Sequence, residues 1–343
     1  MILSLIGALH RYPAGVRRGL LSAGLLAALA LPWTLYPPVA ADILCWGLFA
    51  VAFDLLLGHA GLLSFGHAAF WGTSAYATGL IALHSGLPFP VAVLGGAVAA
   101  ALLAVPIGFL AVRRSGIYFA MVTLAFAQMV YFVANQWDDV TGGENGLQGI
   151  PRQLAGIDLS DSFVLYYALL PMVLLGLTAA WRFVRSPFGR VVAGVRENPD
   201  RVRALGYAVD RYKLVVFVVS AFLSGLAGGL YAVNHGFASL QEVYWTTSGK
   251  VVVMTVLGGI GTLWGSLVGA GAIVRLEDWL STAGFEETGL ITGGVFIVTV
   301  LVFRRGVWGT LSQLLRDRAA PGAAVLEPHP RHDHDDTAQR VRS

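Results

Sequence analysis

The chain has 343 residues, 56% of them hydrophobic and only 13% charged, with 23 Lys and Arg against 20 Asp and Glu for a formal net charge of +3. A soluble globular domain carries about a quarter charged residues, so this composition excludes an ordinary soluble enzyme and gives nucleic-acid binding no support. At about 20 apolar residues per crossing the length accommodates roughly eight to ten spans, and the expectation is one all-α, polytopic integral membrane domain of about 9–10 transmembrane helices.

The apolar stretch Met1 to Leu9 precedes Arg11, Arg17 and Arg18, the reverse of a cleaved signal. Residues 1–18 are therefore read as a cytoplasmic lead-in, and 19–316 as the transmembrane domain. Apolar runs fall at 19–36, 39–57, 64–83, 89–112, 116–134, 162–183, 213–234, 248–274 and 289–303. Each is predicted to be helical, because an isolated strand cannot satisfy its backbone in lipid. The sole cysteine, Cys45, lies inside one run, which excludes a disulfide within the chain and reads as a packed side chain.

Alternating sides from Arg17 and Arg18 places Arg113, Arg114 and the Arg-rich loop 184–212 on the cytoplasmic side. The acidic loop with Asp138, Asp139, Glu144, Asp158 and Asp161 then lies outside, in accord with the bias of basic residues toward the cytoplasm. A single crossing by 248–274 would reverse that pattern, because Glu277, Asp278, Glu286 and Glu287 would fall inside and Arg304, Arg305, Arg316 and Arg318 outside. A turn-back is predicted at VLGGIGTLWG, where Gly258, Gly259, Gly261 and Gly265 split the run into two pieces of roughly 11 to 13 residues, each about half the depth of a ~30 Å hydrocarbon core. A tilted helix with glycine packing contacts is the alternative.

A similar break opens at LLGHAGLLSFGHAAFWGTSAY, with Gly58, Gly61, Gly66 and Gly72, and its LGxxG start at Leu57 to Gly61 recurs at Leu257 to Gly261. Paired glycine-interrupted segments in a transporter point to the solute site, because half-helix ends aim backbone dipoles at it; chance similarity of glycine-rich apolar sequence is the rival. Asp54 stands a turn before the first break, where freed N–H groups would offset the cost of a carboxylate at membrane depth. His59, Ser64, His67, Ser74 and Tyr76 add polar groups, with His67 open to either a core or a solute-facing role. Thr123 and Gln128 suit helix packing or a path lining. In the outer loop VTGGENGLQGIP, Gly142, Gly143, Asn145 and Gly146 suit a tight turn near a pathway mouth.

Within the loop 184–212, Pro187 is placed to start a short helix, Val191, Val192 and Val195 form an apolar stripe, and Pro199 ends the helix. Such a helix either lies on the membrane surface or docks a soluble partner. The tail 317–343 is polar and is expected to be disordered and cytoplasmic, with solvation favoured over weak metal binding at His329, His332 and His334. No GKS, GKT, HExxH, CxxC or GxSxG pattern occurs, so no metal site, covalent catalyst or ATPase site of the chain's own is expected.

Five stretches carry a family resemblance: DLLLGHAGLLSFGHAAFWGTSAY at 54–76, IYFAMVTLAFAQ at 117–128, TGGENGL at 141–147, SPFGRVVAGVRENPDRVRALGYAVDRYKLVVFVVSAFLSGLAGGLYA at 186–232 and VLGGIGTLWGSLVG at 256–269. They resemble, in the same order, the membrane permeases of ATP-binding-cassette importers for branched-chain amino acids. The resemblance implies a bacterial inner-membrane permease that works with a second homologous permease, two cytoplasmic ATP-binding subunits and an extracytoplasmic solute-binding protein. ATP would be used by the partner, with no cofactor bound directly. It also implies a translocation path at Gly58, Gly61, Ser64, Gly66, His67, Gly258, Gly259 and Gly261, to which Thr123 is added as a candidate, and ATPase coupling through Arg190, Arg196, Glu197 and Asn198, with Gly189 added beside them. His59 departs from the family, which often has tyrosine there. A permease for urea or short amides, or an ion-coupled transporter using Asp54, remains an alternative reading of the residues.

Overall fold

The computed structural model describes residues 24, 26–154, 157–284, 291, 293, 294 and 297. The lead-in 1–18, Glu286, Glu287, Arg304, Arg305, Arg316, Arg318 and the tail 317–343 lie outside the described residues, as do most of 289–303 and the start of 19–36.

Apolar runs become helices in the order expected. Helix α1 (Pro37–Asp54) continues into a π turn at Leu55–His59, and after a non-helical stretch come α2 (His67–Ser85), α3 (Phe89–Ala111) and α4 (Ile117–Gln136). The acidic loop holds one-turn α5 (Asp138–Thr141) and the two-residue strands β1 (Leu147–Gln148), β2 (Gln153–Leu154) and β3 (Ile157–Asp158). Then follow α6 (Ser162–Arg185), α7 (Pro187–Glu197), α8 (Pro199–Ala204), α9 (Val209–His235), β4 (Phe237–Ala238), α10 (Leu240–Val243), α11 (Trp245–Gly258) and α12 (Leu263–Thr282). Five helices among the described residues are long and apolar enough to cross a membrane: α1 with its π turn, α3, α4, α6 and α9. The pair α11 and α12 is apolar enough only when taken together, and is bent by 117° at its break, the form of a broken span or a re-entrant loop. Helix α2 has 19 residues but a more polar sequence, and its side chains are largely enclosed by its neighbours.

Depth in the bundle sorts the helices. The apolar window of α1 is 83% buried and that of α9 67%, against 39% for α3 and α6 and 28% for α4. Helices α1 and α9 therefore run through the interior, while Leu102, Phe109, Met121, Phe132 and Leu175 on α3, α4 and α6 face outward, as lipid-contacting residues do. Lipid tails are as apolar as these side chains, so close backbone approach, and not water exclusion, must hold the interior together. The sequence supplies it with small residues: a Cβ on Gly228 of α9 would lie 2.2 Å from the Trp71 carbonyl oxygen, and one on Gly96 of α3 2.3 Å from Oγ1 of Thr78.

The acidic loop between α4 and α6 is tied to the end of α9. Strands β1 and β4 pair antiparallel with Leu147 opposite Ala238. Arg152 donates to the Val233 and Asn234 carbonyls at 3.2 and 2.7 Å, placing a positive charge at the C-terminus of α9 where the helix dipole favours it.

The run 248–274 does break, at residues 259–262, with a bend of 117°, but its arms have 14 and 20 residues instead of roughly equal halves. Helix α12 continues past the apolar run because its charges are paired: Lys250 donates to Glu277 at 2.5 Å across the two arms, and Arg275 pairs with Asp278 one turn on. At about 1.5 Å per residue the 20-residue second arm is about as long as the ~30 Å hydrocarbon core is thick.

Candidate functional site

The first break is an interruption in which several freed donors find partners. Helix α1 widens into the π turn Leu55–His59, a form concentrated at functional sites. Gly61 then adopts φ +72°, a left-handed conformation natural to glycine. Its N–H and that of Leu62 bond back to Leu57 and Leu56. Phe65 N–H reaches Oγ1 of Thr123 at 3.2 Å, Gly66 N–H reaches Oγ of Ser64 at 3.1 Å, and Ala68 N–H reaches Oγ of Ser248 at 2.8 Å. Three hydroxyls, from α4, from α11 and from the break itself, thus receive N–H groups freed around the start of α2. Gly66 permits the approach to α4, because a Cβ there would lie 2.9 Å from the Thr123 carbonyl oxygen.

His67, fully buried, sits at the first turn of α2 among the rings of Phe53, Phe70 and Phe217. Its Nε2 lies 2.9 Å from Oγ of Ser220, whose own proton goes to the Ala52 carbonyl at 2.5 Å, so Nε2 is the donor. One imidazole therefore ties α2, α9 and α1 together.

The second break has the same logic. Gly259 and Gly261 take φ +114° and +81°, and Thr262 bonds its hydroxyl to the Gly259 carbonyl at 2.6 Å. The arms touch backbone to backbone: a Cβ on Gly258 would lie 2.0 Å from the Gly265 carbonyl oxygen, and one on Gly269 2.1 Å from that of Met254.

Asp54 joins the two breaks. Its carboxylate is fully buried, and Oδ1 accepts a 2.7 Å hydrogen bond from the amide of Gly261. A freed N–H near Asp54 was the expectation, but the donor comes from the other break, and not from its own. A Cβ on Gly58 would lie 2.2 Å from Oδ1 of Asp54 and 2.5 Å from the Gly261 nitrogen, so glycine is required at this crossing. His59 Nδ1 stands 3.3 Å from the Asp54 carbonyl oxygen. The two LGxxG segments, two hundred residues apart in sequence, meet in space.

The Arg-rich loop folds as two capped helices. Ser186 accepts from Gly189 N–H at 3.1 Å ahead of Pro187, and Asn198 accepts from Arg201 N–H at 2.9 Å ahead of Pro199. Pro199 thus opens α8 as well as marking the end of α7, and the side chain of Asn198 is engaged as its cap. Val195, Val202 and Val209 form a small apolar core between α7, α8 and α9, while Val192 joins the membrane core. Gly189 is buried in the corner after α6, where a Cβ would lie 2.3 Å from the Val184 carbonyl oxygen. Arg190 and Glu197 are exposed. Arg196 turns inward instead, donating from Nη1 to the carbonyl oxygen of Gly58. Residues expected to serve two separate purposes are therefore in contact.

Several contacts have no signature in the sequence. Asp42 accepts from Asn234 at 2.9 Å and His235 at 2.8 Å, fastening α1 to the end of α9. Ser220 is likewise a single polar residue in an apolar run, and Ser248 and Lys250 stand at the edge of another. Only their depth in the membrane, where polar groups seek partners, could have singled them out.

Residues 38–301 match the family described as branched-chain amino acid transport system, permease component. The chain is 30% identical over 294 residues to the high-affinity branched-chain amino acid transport system permease protein LivM of Salmonella typhimurium, covering 78% of this chain and 68% of that one. It is equally similar, at 30% over 285 residues, to LivM of Escherichia coli, covering 75% of this chain and 66% of that protein. The autoinducer 2 import system permease protein LsrC of an Enterobacter species is 30% identical over 224 residues, 61% of each chain.

Proposed function

The chain belongs to the permease-component family of branched-chain amino acid transport systems, and on that premise we propose that it is the membrane subunit of an ATP-driven importer in the bacterial inner membrane. Its partners are a second permease, two cytoplasmic ATP-binding subunits and an extracytoplasmic solute-binding protein. ATP is hydrolysed by the partner subunits. The solute is a branched-chain or other apolar amino acid, a reading supported by the two LivM relatives.

The observation that carries this reading is the position of α7. It offers Arg190 and Glu197 outward and is anchored through Arg196 to the first glycine break. A partner that grips the exposed face of α7 moves the breaks, and packed interiors switch between discrete arrangements instead of deforming continuously. The path is assigned to the breaks: Gly58, Gly61, Ser64, Gly66, His67, Thr123, Gly258, Gly259 and Gly261. Broken backbone at membrane depth is stable only where protein or a water-filled cavity receives it, and alternation between those two surroundings is what a gate requires. Energy from the motor biases which arrangement is populated.

Similarity to LsrC favours a second solute reading, autoinducer 2 carried through the same architecture. Reconstitution with all partners separates the readings. The first predicts ATP-dependent uptake of labelled leucine that Glu197→Arg abolishes while membrane insertion is retained. Uptake at the wild-type rate in that variant contradicts docking at Glu197, and uptake driven by an ion gradient alone contradicts the importer.

A further inference from the structure

Three features set Arg196 apart from the exposed residues of α7. Its side chain lies across the first break, so that a Cβ built on Gly61 would stand 3.0 Å from Cγ of Arg196. Its Nη1 donates to the Gly58 carbonyl, within the π turn that closes α1. The same Nη1 is 3.6 Å from the Cβ position of Gly261 in the second break. One side chain from the Arg-rich loop therefore bonds to the first interruption at Gly58 and lies in the space that side chains at Gly61 and Gly261 would enter.

The chemistry suits the place. The Gly58 carbonyl lies at the negative end of the α1 dipole, where a cation with several N–H groups is a natural cap. Asp54, one turn earlier, is fully buried beside the same crossing and holds the Gly261 amide. A buried carboxylate is strongly destabilising without a compensating charge, and the guanidinium lies within electrostatic range of it. Arg keeps its charge and presents a planar fork, which allows it to face the Gly58 carbonyl and the Gly261 backbone together. The loop end is also stiff, because Val195, next to Arg196, is packed into the small core with Val202 and Val209.

We propose that Arg196 is a positioning residue that fastens α7 to both glycine breaks, so that displacement of α7 moves the two breaks as a unit; the inference rests on the reading of α7 as the joint to the ATPase. Its role is transmission, and not adhesion to the partner.

The experiment uses the assembled importer in proteoliposomes, with Ile260→Cys in a Cys45→Ala background as reporter. Ile260 lies in the second break and is 45% exposed, so its rate of maleimide labelling reads the break directly without requiring a known solute. ATP with vanadate should change that rate in the otherwise unaltered chain. Arg196→Ala should leave the yield of ATPase in the complex intact and reduce the ATP-induced change at least fivefold, while Glu197→Arg should lose the ATPase. Loss of the ATPase in Arg196→Ala would make Arg196 a docking residue and overturn the inference, as would an undiminished ATP-induced change. If Arg196→Ala does not fold, Arg196→Lys carries the test: it keeps the charge but not the fork, so a reduced change supports the inference and an unaltered one overturns it. An unaltered chain that binds no ATPase refutes the importer reading, and this inference with it.

Discussion

The amide of Gly261 and the carboxylate of Asp54, 207 positions apart, form a 2.7 Å hydrogen bond inside the membrane domain. The bond closes the crossing of two interrupted spans, and its loss has a definable consequence. Asp54→Ala leaves a buried N–H without an acceptor, a loss of about 1–3 kcal/mol. Asp54→Asn keeps an acceptor oxygen in the same place. The thermal midpoint of the detergent-solubilised protein should therefore fall clearly further in Asp54→Ala than in Asp54→Asn. Equal midpoints would show that the bond contributes nothing.

Glycines of α11 separate by contact. A Cβ on Gly258 would lie 2.0 Å from the Gly265 carbonyl oxygen, whereas one on Gly249, in the same helix, meets nothing within 4 Å. Gly258→Ala must force the two arms apart, with a penalty of at least about 1–3 kcal/mol. Gly249→Ala should be neutral or stabilising by up to about 1 kcal/mol. Yield and thermal midpoint of the two variants check this ordering.

Stability should fall with rising pH through Glu242. This residue, on α10 between α9 and α11, is only 7% exposed, and burial pushes its carboxyl from 4.5 up to about 8, against a smaller opposing effect of hydrogen bonds from Ser239. Between those two values the folded chain holds a proton that the unfolded chain has released, so stability declines across that window and levels off above about 8. Glu242→Gln, which cannot ionise, should flatten the thermal midpoint measured from pH 6 to pH 9. A slope unchanged by the substitution would assign the pH dependence to another group.

Fold class was legible in the sequence because apolar runs of spanning length admit only helices in lipid. The break at 259–262 was legible too, since Gly258, Gly259, Gly261 and Gly265 interrupt the apolar run there. Its unequal arms were not: the Lys250–Glu277 pair that carries α12 beyond the apolar run joins residues 27 apart and leaves no local mark. The same holds for the crossing of the breaks. The LGxxG repeat marked Gly58 and Gly261 separately, but their contact with Asp54 and Arg196 depends on how α1, α7, α11 and α12 pack. Arg196 shows the limit most plainly, because Arg190, Arg196 and Glu197 read alike in an Arg-rich loop and only the first and last face outward.

The direction in which α7 meets its partner is measured most directly by photocrosslinking from position 197. With benzoylphenylalanine in place of Glu197, irradiation of the assembled importer should yield an adduct with the ATP-binding subunit, and an impermeant maleimide should label Glu197→Cys (in Cys45→Ala) only in inside-out vesicles. An adduct with the extracytoplasmic binding protein, or labelling of Glu197→Cys in intact cells, would contradict the account.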